Sequence, residues 1–462
     1  MASLRTTTTR TGLRPARAEP GTTSGWYPVA RSTEVGTTPL PVGAAGQAYV
    51  VVRLRPGAEV TALSARCPHR LVPLASATVV DGRLQCPYHG WQFNAEGRCV
   101  EIPSLGPDGT PPPRADLSAP WSVEERDGWV WLAPDPTASA RPPRAGSDTL
   151  RPEPVPEPPP PVGPVFGNLA PALEHAWHPV ALGGELREGG YVQVRLLGRN
   201  WTVHRHGGEL DADPPAWGVA ERHGVIWLAP AEPRDELLDL PETTDPAFTA
   251  AWLPPARSGS PAGPLADNFL DVAHFPFVHA ATFGATEDKE VPPHEVTPRP
   301  GGFTSVQDQW FDNPEDPGVA RGERPLRQRR RATYLYRAPF QLLLRLEELD
   351  AGAVKTILFL LQPEDADSTR IYTCMLLSGI GGAAVVAPDV VAAEVAFEEA
   401  VLAEDLVQQA AMASTGLPLL LRDELHVRAD RLGVALRRAL ADFVADCAAV
   451  DRAEAARQRA TA

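Results

Sequence analysis

Two short motifs carry the residues of this 462-residue chain best suited to metal chemistry, Cys67-Pro68-His69 and, sixteen residues on, Cys86-Pro87-Tyr88-His89-Gly90-Trp91. Zinc sites of the Cys₂His₂ type group their cysteines apart from their histidines. Here the two types interleave, so each motif can give a thiolate to one iron and an imidazole to the other iron of a [2Fe–2S] cluster, the ligation of a Rieske centre. Two like loops would clasp the cluster from opposite sides. Cys99 lies outside the pattern and reads as a buried small hydrophobe. With Cys374 and Cys447 it completes a set of five cysteines too sparse for a disulfide framework.

A second constellation runs from Asn268 through Asp271 and His274 to His279. Helical spacing puts Asp271 and His274 one turn apart on one face, where the carboxylate can accept a hydrogen bond from the imidazole. Pro276 is expected to end that helix, so that His279 swings round to the same metal. A non-haem Fe(II) that activates O₂ takes two imidazoles and one carboxylate on one face, leaving open positions. The carboxylate is sought at 397–409 (FEEAVLAEDLVQQ), where Asp405 is the first candidate and Glu404 the alternative.

CPHR at 67–70, CPYHGW at 86–91 and WSVEERDGWVWLAP at 121–134 resemble the N-terminal domain of Rieske non-haem iron oxygenase α-subunits, and the second motif is similar to that of their catalytic domain. The resemblance covers 26–134 and roughly 264–449. It implies Cys67, His69, Cys86 and His89 as cluster ligands, and His274, His279 and Asp405 as ligands of a mononuclear Fe(II). Asp271 matches the carboxylate that bridges the cluster of one subunit to the iron of its neighbour, with Asn268 and Asp271 positioning ligands rather than reacting. The resemblance further implies a homotrimer, O₂ as co-substrate, and electrons from NAD(P)H delivered by a separate ferredoxin or flavin reductase. The implied reaction is monooxygenation of a small organic substrate, by hydroxylation, oxidative demethylation or cyclisation. A redox carrier or sensor that kept only the cluster is the rival class, and the intact second motif speaks against it.

These motifs sit on recognisable elements. Residues 25–136 read as short strands between turns, as at Asp81-Gly82 and Asp127-Gly128, and form an all-β Rieske domain. A Pro-rich stretch at 137–164 is an extended linker. Beyond it the sequence repeats itself: Trp26-Tyr27-Pro28-Val29-Ala30 recurs as Trp177-His178-Pro179-Val180-Ala181, and 121–134 recurs as WGVAERHGVIWLAP at 217–230. The second copy, 165–235, lacks the Cys/His segment, and its His204-Arg205-His206 reads as exposed histidines in a turn. It is expected to be a degenerate Rieske-like β domain without a cluster. From 236 to 450 an α+β helix-grip catalytic domain with an antiparallel sheet is expected: strand-like runs at 333–346 and 354–362, and long helices at 390–412 and 424–449. Residues 1–24 and 451–462 read as tails, and the substrate pocket is sought among 334–344 and 356–361.

A net charge of −15 excludes general binding to nucleic acid or anionic membrane. No apolar run reaches the roughly 18 residues that span a bilayer, so a cytoplasmic protein is expected. The Arg- and Thr-rich start superficially resembles a transit peptide, but an Arg-rich composition produces such a tail anyway. Arg66, Arg70 and Arg83 beside the cluster loops are the expected docking surface for an acidic electron donor, and Arg327–Arg331 reads as a solvated basic loop.

Overall fold

The computed structural model describes residues 24–144, 150–314, 316–382, 385–412 and 414–461. All of the expected N-terminal tail except Ser24 lies outside the described residues.

The first β unit has three small antiparallel sheets. Strands β1 (Tyr27–Arg31), β9 (Ser122–Arg126) and β10 (Trp129–Ala133) pair in the order β1-β10-β9. Strands β2 (Leu40–Ala44), β3 (Gln47–Arg53) and β4 (Val60–Ser64) form the second sheet. Strands β5 (Thr78–Val80), β6 (Arg83–Gln85), β7 (Gln92–Phe93) and β8 (Cys99–Glu101) form the third, which carries the Cys/His loops. The unit has its own apolar interior: Val51, Val130 and Leu132 in one part, Leu63, Leu74, Trp91 and Phe93 in another.

After β11 (Val165–Phe166), strands β12 (His178–Leu182), β16 (Gly218–Arg222) and β17 (Val225–Ala229) pair as β12-β17-β16, and β13 (Tyr191–Leu196), β14 (Arg199–His206) and β15 (Glu209–Asp213) as β13-β14-β15. The order repeats that of β1-β10-β9 and β2-β3-β4, and so does a fine irregularity. Register slips between Pro28 and Ala30 against β10, and between Pro179 and Ala181 against β17. Trp131 and Trp227 each donate an indole N–H to the carbonyl five residues back, Arg126 and Arg222. Nothing stands between β15 and β16 where the first unit has its four-stranded sheet. His204 and His206 end strand β14 rather than sitting in a turn, because pairing with β15 continues to His206↔Glu209.

The last part is built on one large antiparallel sheet. Strands β18 (Thr249–Trp252), β25 (Ser368–Ser378), β24 (Val354–Asp365), β23 (Gln341–Glu348), β22 (Arg327–Arg337), β21 (Gly302–Asp312) and β20 (Glu295–Arg299) follow in that order, and β19 (Ala256–Ser258) also pairs with β25. The strand-like run at 333–346 is split by a tight turn at 338–340 into β22 and β23. The 327–331 basic run is strand, not loop, and its arginines are engaged: Arg327 with Asp288, Arg330 with Glu287, Arg331 with Asp308. Helix α1 (Ala262–Phe269) precedes the short α2 (Phe275–Val278); α3 (Pro317–Ala320) caps a loop; α4 (Pro388–Met412) meets α1 and α2. Helix α5 (Arg431–Thr461) starts later than expected, because Asp430 accepts from the Val427 N–H and closes a separate turn. It also runs through the expected C-terminal tail, whose Ala, Arg and Glu residues are strong helix formers. Leu432, Leu436, Leu440, Phe443 and Cys447 form its buried face at helical spacing.

Strand β24 is covered on both faces: Ile357, Phe359 and Leu361 join a core shared with α1 and α5, while Leu358 and Leu360 join a second cluster. Strand β17 feeds both, with Ile226 and Leu228 in the first and Val225 and Trp227 in the second. Unlike the first β unit, the second therefore has no interior separate from the large sheet. No helix among the described residues is long and apolar enough to cross a membrane.

Candidate metal centres

The two Cys/His loops fold alike. The Leu71 N–H closes the first on the Cys67 carbonyl, and the Gly90 N–H closes the second on the Cys86 carbonyl. Both closing residues have positive φ, 54° and 68°, and all four candidate ligands are buried. Nδ1 of His69 and Nδ1 of His89 face each other at 3.0 Å. Each ring is held from behind, His69 Nε2 donating to Asp430 at 2.9 Å and His89 Nε2 to Asp271 at 2.7 Å. A carboxylate cannot donate, so both Nδ1 atoms keep their lone pairs for a metal. Burial holds the His69 imidazole down at about 4, in the neutral form a ligand requires. Burial pushes the Cys67 thiol up, while a hydrogen bond between the two thiols pulls Cys86 down to about 7. Trp91 stacks on His69 with centroids 4.7 Å apart. Paired thiols on one side and paired bare imidazole nitrogens on the other fit a [2Fe–2S] cluster.

The second group is assembled from α1, α2 and α4. Helix α1 ends at Phe269, so Asp271 and His274 are not on one helix as spacing suggested. Asp271 instead opens a turn, its Oδ1 accepting the Ala273 N–H at 2.7 Å. Pro276 sits in the first turn of the short α2 rather than ending a longer helix, a place where its missing N–H costs nothing. His274 Nδ1 lies 4.0 Å from Asp271, too far for the expected hydrogen bond. It is buried with no hydrogen-bond partner among the described residues. Nε2 of His274 and Nε2 of His279 come within 3.1 Å, and Asp405 Oδ1 lies 3.4 and 3.3 Å from them.

Three bonds of about 2.1 Å from one face of an ion give edges of roughly 3.0 to 3.4 Å, so the group fits a metal with its opposite face open. Burial pushes the Asp405 carboxyl up, but the imidazoles of His274 and His279 beside it outweigh burial and hold the group ionised, well below the usual range. Glu404, the alternative, faces the other way. Its Oε2 accepts from His279 Nδ1 at 2.8 Å and from Thr282 at 2.9 Å, which leaves His279 Nε2 bare toward the site. A cavity of about 280 Å³ opens over the group, walled by Phe269, Phe275, Phe283 and Phe397 with Leu344 and Ile357. The strand segments expected to line it supply those last two; the aromatic wall comes from α1, α2, the loop after α2 and α4.

Asp271 reaches His89 of its own chain, whereas the resemblance placed that bridge between subunits. Tyr88 donates to Asn268 at 2.6 Å, and Gln409 on α4 donates to the same oxygen at 3.0 Å. Arg70 is buried against Asp267 (3.3 Å) and Asp430 (3.2 Å), so it cannot serve as the expected docking surface. Sequence reasoning missed Asp430 and Gln409. A second carboxylate could have been sought, since each ligating imidazole needs an outer partner, but no motif marks its position.

Residues 25–117 match the Rieske [2Fe-2S] domain, and residues 260–446 match the vanillate O-demethylase oxygenase C-terminal domain. Among curated relatives, the Arabidopsis thaliana chloroplastic protein TIC 55 is 37% identical over 24% of this chain and 21% of its own length. The methylxanthine N1-demethylase NdmA of Pseudomonas putida is 37% identical over 24% of this chain and 32% of its own. The oxygenase component of dicamba O-demethylase from Stenotrophomonas maltophilia is 35% identical over 26% of this chain and 34% of its own. In each case the match spans about a third of the relative or less.

Proposed function

As the chain belongs to the Rieske oxygenases, pairing a Rieske [2Fe–2S] domain with an oxygenase C-terminal domain, we propose that it inserts oxygen from O₂ into a small organic substrate. In the overall balance a C–H bond becomes C–O–H, the second oxygen atom leaves as water, and two electrons and two protons are consumed. Where the new hydroxyl sits on an O- or N-methyl group, collapse of the product releases the methyl carbon as formaldehyde. Two of the relatives are named as demethylases, which favours that outcome here.

The observation that carries the reading is the convergence of His274 Nε2, His279 Nε2 and Asp405 Oδ1 beneath the aromatic cavity. These three would hold the iron, and Cys67, Cys86, His69 and His89 the cluster. When bound, the cluster supplies electrons singly and the iron supplies the place where O₂ is reduced. The protein's own part is positional. Glu404 fixes the tautomer of His279; Asp271 and Asp430 fix those of His89 and His69; Asn268, held by Tyr88 and Gln409, keeps the turn after α1 in place. The phenyl groups suit a small substituted ring and Arg330, Lys355 and Glu398 offer it polar contacts, in a cavity at the lower end of ligand-site sizes. Electrons would come from NAD(P)H through a separate ferredoxin or flavin reductase. The second β unit is read as a degenerate copy of the first, supported by its strand order, its matching bulge and its missing ligand sheet.

The test is reconstitution with iron and sulfide, a reductase and a panel of methoxylated and N-methylated aromatics, with formaldehyde and hydroxylated product as the readout. His274→Ala should leave reduction of the cluster intact and abolish product. Product formation that survives this change would sink the reading, and a cluster that is reduced with no O₂-dependent product from any substrate would favour a redox carrier.

A further inference from the structure

We infer that the junction between the cluster site and the iron site is closed within a single chain, through contacts that leave no room for another chain's cluster loops. The inference rests on the metal-centre reading above and adds the connectivity. Both cluster histidines are backed by carboxylates of the same chain, Asp271 and Asp430. Backbone bonds seal the edges: the Leu425 N–H donates to the Pro68 carbonyl, and the Val291 N–H to the Ser104 carbonyl, both at 3.1 Å. Gly90 lies so close to Phe277 that a Cβ there would stand 2.1 Å from the ring.

The tether has the right reach. Glu153 is bridged to Gly43 on the first β unit, and the Leu419 N–H bonds the Pro164 carbonyl, with β11 paired to Leu417–Pro418 a few residues from Leu425. Between these anchors residues 154–162 are rich in proline, and such a segment extends by about 3.1 Å per residue. Nine residues at that rise span at most about 28 Å, which keeps the cluster unit near the iron face of its own chain. A tether of this length sets an effective concentration on the order of millimolar, so at micromolar protein the chain's own cluster unit outcompetes a neighbour's by on the order of a thousandfold. The second β unit cannot compete for that face, being built into the large sheet.

The test reads connectivity without turnover. The full-length Ser104→Cys/Val291→Cys protein is oxidised mildly and run without reductant, beside co-expressed Ser104→Cys and Val291→Cys single variants. The expected result is a disulfide within one chain of 49.6 kDa in the double variant and no dimer from the mixture. As a surface alternative that spares the buried positions, Leu105→Cys/Glu290→Cys is bridged with a short bismaleimide and should likewise link within one chain. Cross-linked dimers or ladders from either pair, or no link from either pair, overturn the inference. An inactive but internally cross-linked enzyme would sink the oxygenase reading and leave this one standing.

Discussion

Replacing Gly90 with Ala tests the junction at its tightest point. Gly90 has φ of 68°, and an L side chain in that region costs about 1–2 kcal/mol by itself. The new Cβ would lie 2.1 and 2.2 Å from two ring carbons of Phe277, where carbon atoms prefer about 3.5–4.0 Å. The ring must move by more than about 1 Å or the loop must back out of the junction. Either response costs about another 1–2 kcal/mol, the usual penalty for overpacking. Phe277→Ala alone removes a half-buried ring and should cost about 1–2 kcal/mol. In the double variant the clash is gone and only the backbone strain remains. Urea unfolding of the four proteins, followed by tryptophan fluorescence and by the cluster's visible absorbance, should yield a coupling of about 1–2 kcal/mol between positions 90 and 277. Additivity within about 0.5 kcal/mol would refute the reasoning, because it would mean that the loop carrying His89 does not meet α2.

Three further outcomes are expected. Asp405→Asn should lose the mononuclear iron and keep the cluster absorbance, whereas Glu404→Gln should retain iron with weakened affinity; metal analysis of the two purified variants distinguishes ligand from support. Asp267 pairs bidentately with buried Arg437, at 2.7 and 2.9 Å, and also with Arg70, so Asp267→Ala should cost about 3–5 kcal/mol in urea unfolding by leaving buried guanidinium groups short of a partner. Burial holds His178 at about 4 against 6.5 in the unfolded chain; the unfolded chain then binds more protons between those values, so stability falls on acidification through that window by up to about 3 kcal/mol. His178→Gln should flatten this part of the pH profile, and an unchanged profile would contradict the assignment.

The sequence was most legible where a ligand set is local. Cys67 and His69, like Cys86 and His89, belong to five-residue loops whose closure needs no distant partner. The iron group was half legible: His274 and His279 share a segment, but Asp405 comes from another helix, where the sequence put it first and left Glu404 as the alternative. Their opposite orientations on α4 depend on how that helix is rotated against α2, which neighbouring positions cannot reveal. Asp271 was found for the wrong geometry, because helical spacing does not show that Asp271 caps a turn. Asp430 was invisible, lying 361 residues from the histidine it orients. Its partner is set by docking of whole units, not by any local pattern. Arg70 looked like surface for the same reason.

The packing of β17 into both apolar clusters of the large sheet bears on how such a chain can evolve. A duplicated module that keeps its own interior can be deleted as freely as it was gained. Here Ile226 and Leu228 join one apolar cluster on β24 and Val225 and Trp227 the other, so excising the second β unit would uncover apolar residues of β24, Leu358 and Leu360 among them. A unit whose strands fill two apolar clusters of its neighbour is held by packing and not by any metal it binds. Its loops are free to change while its strands persist as masonry.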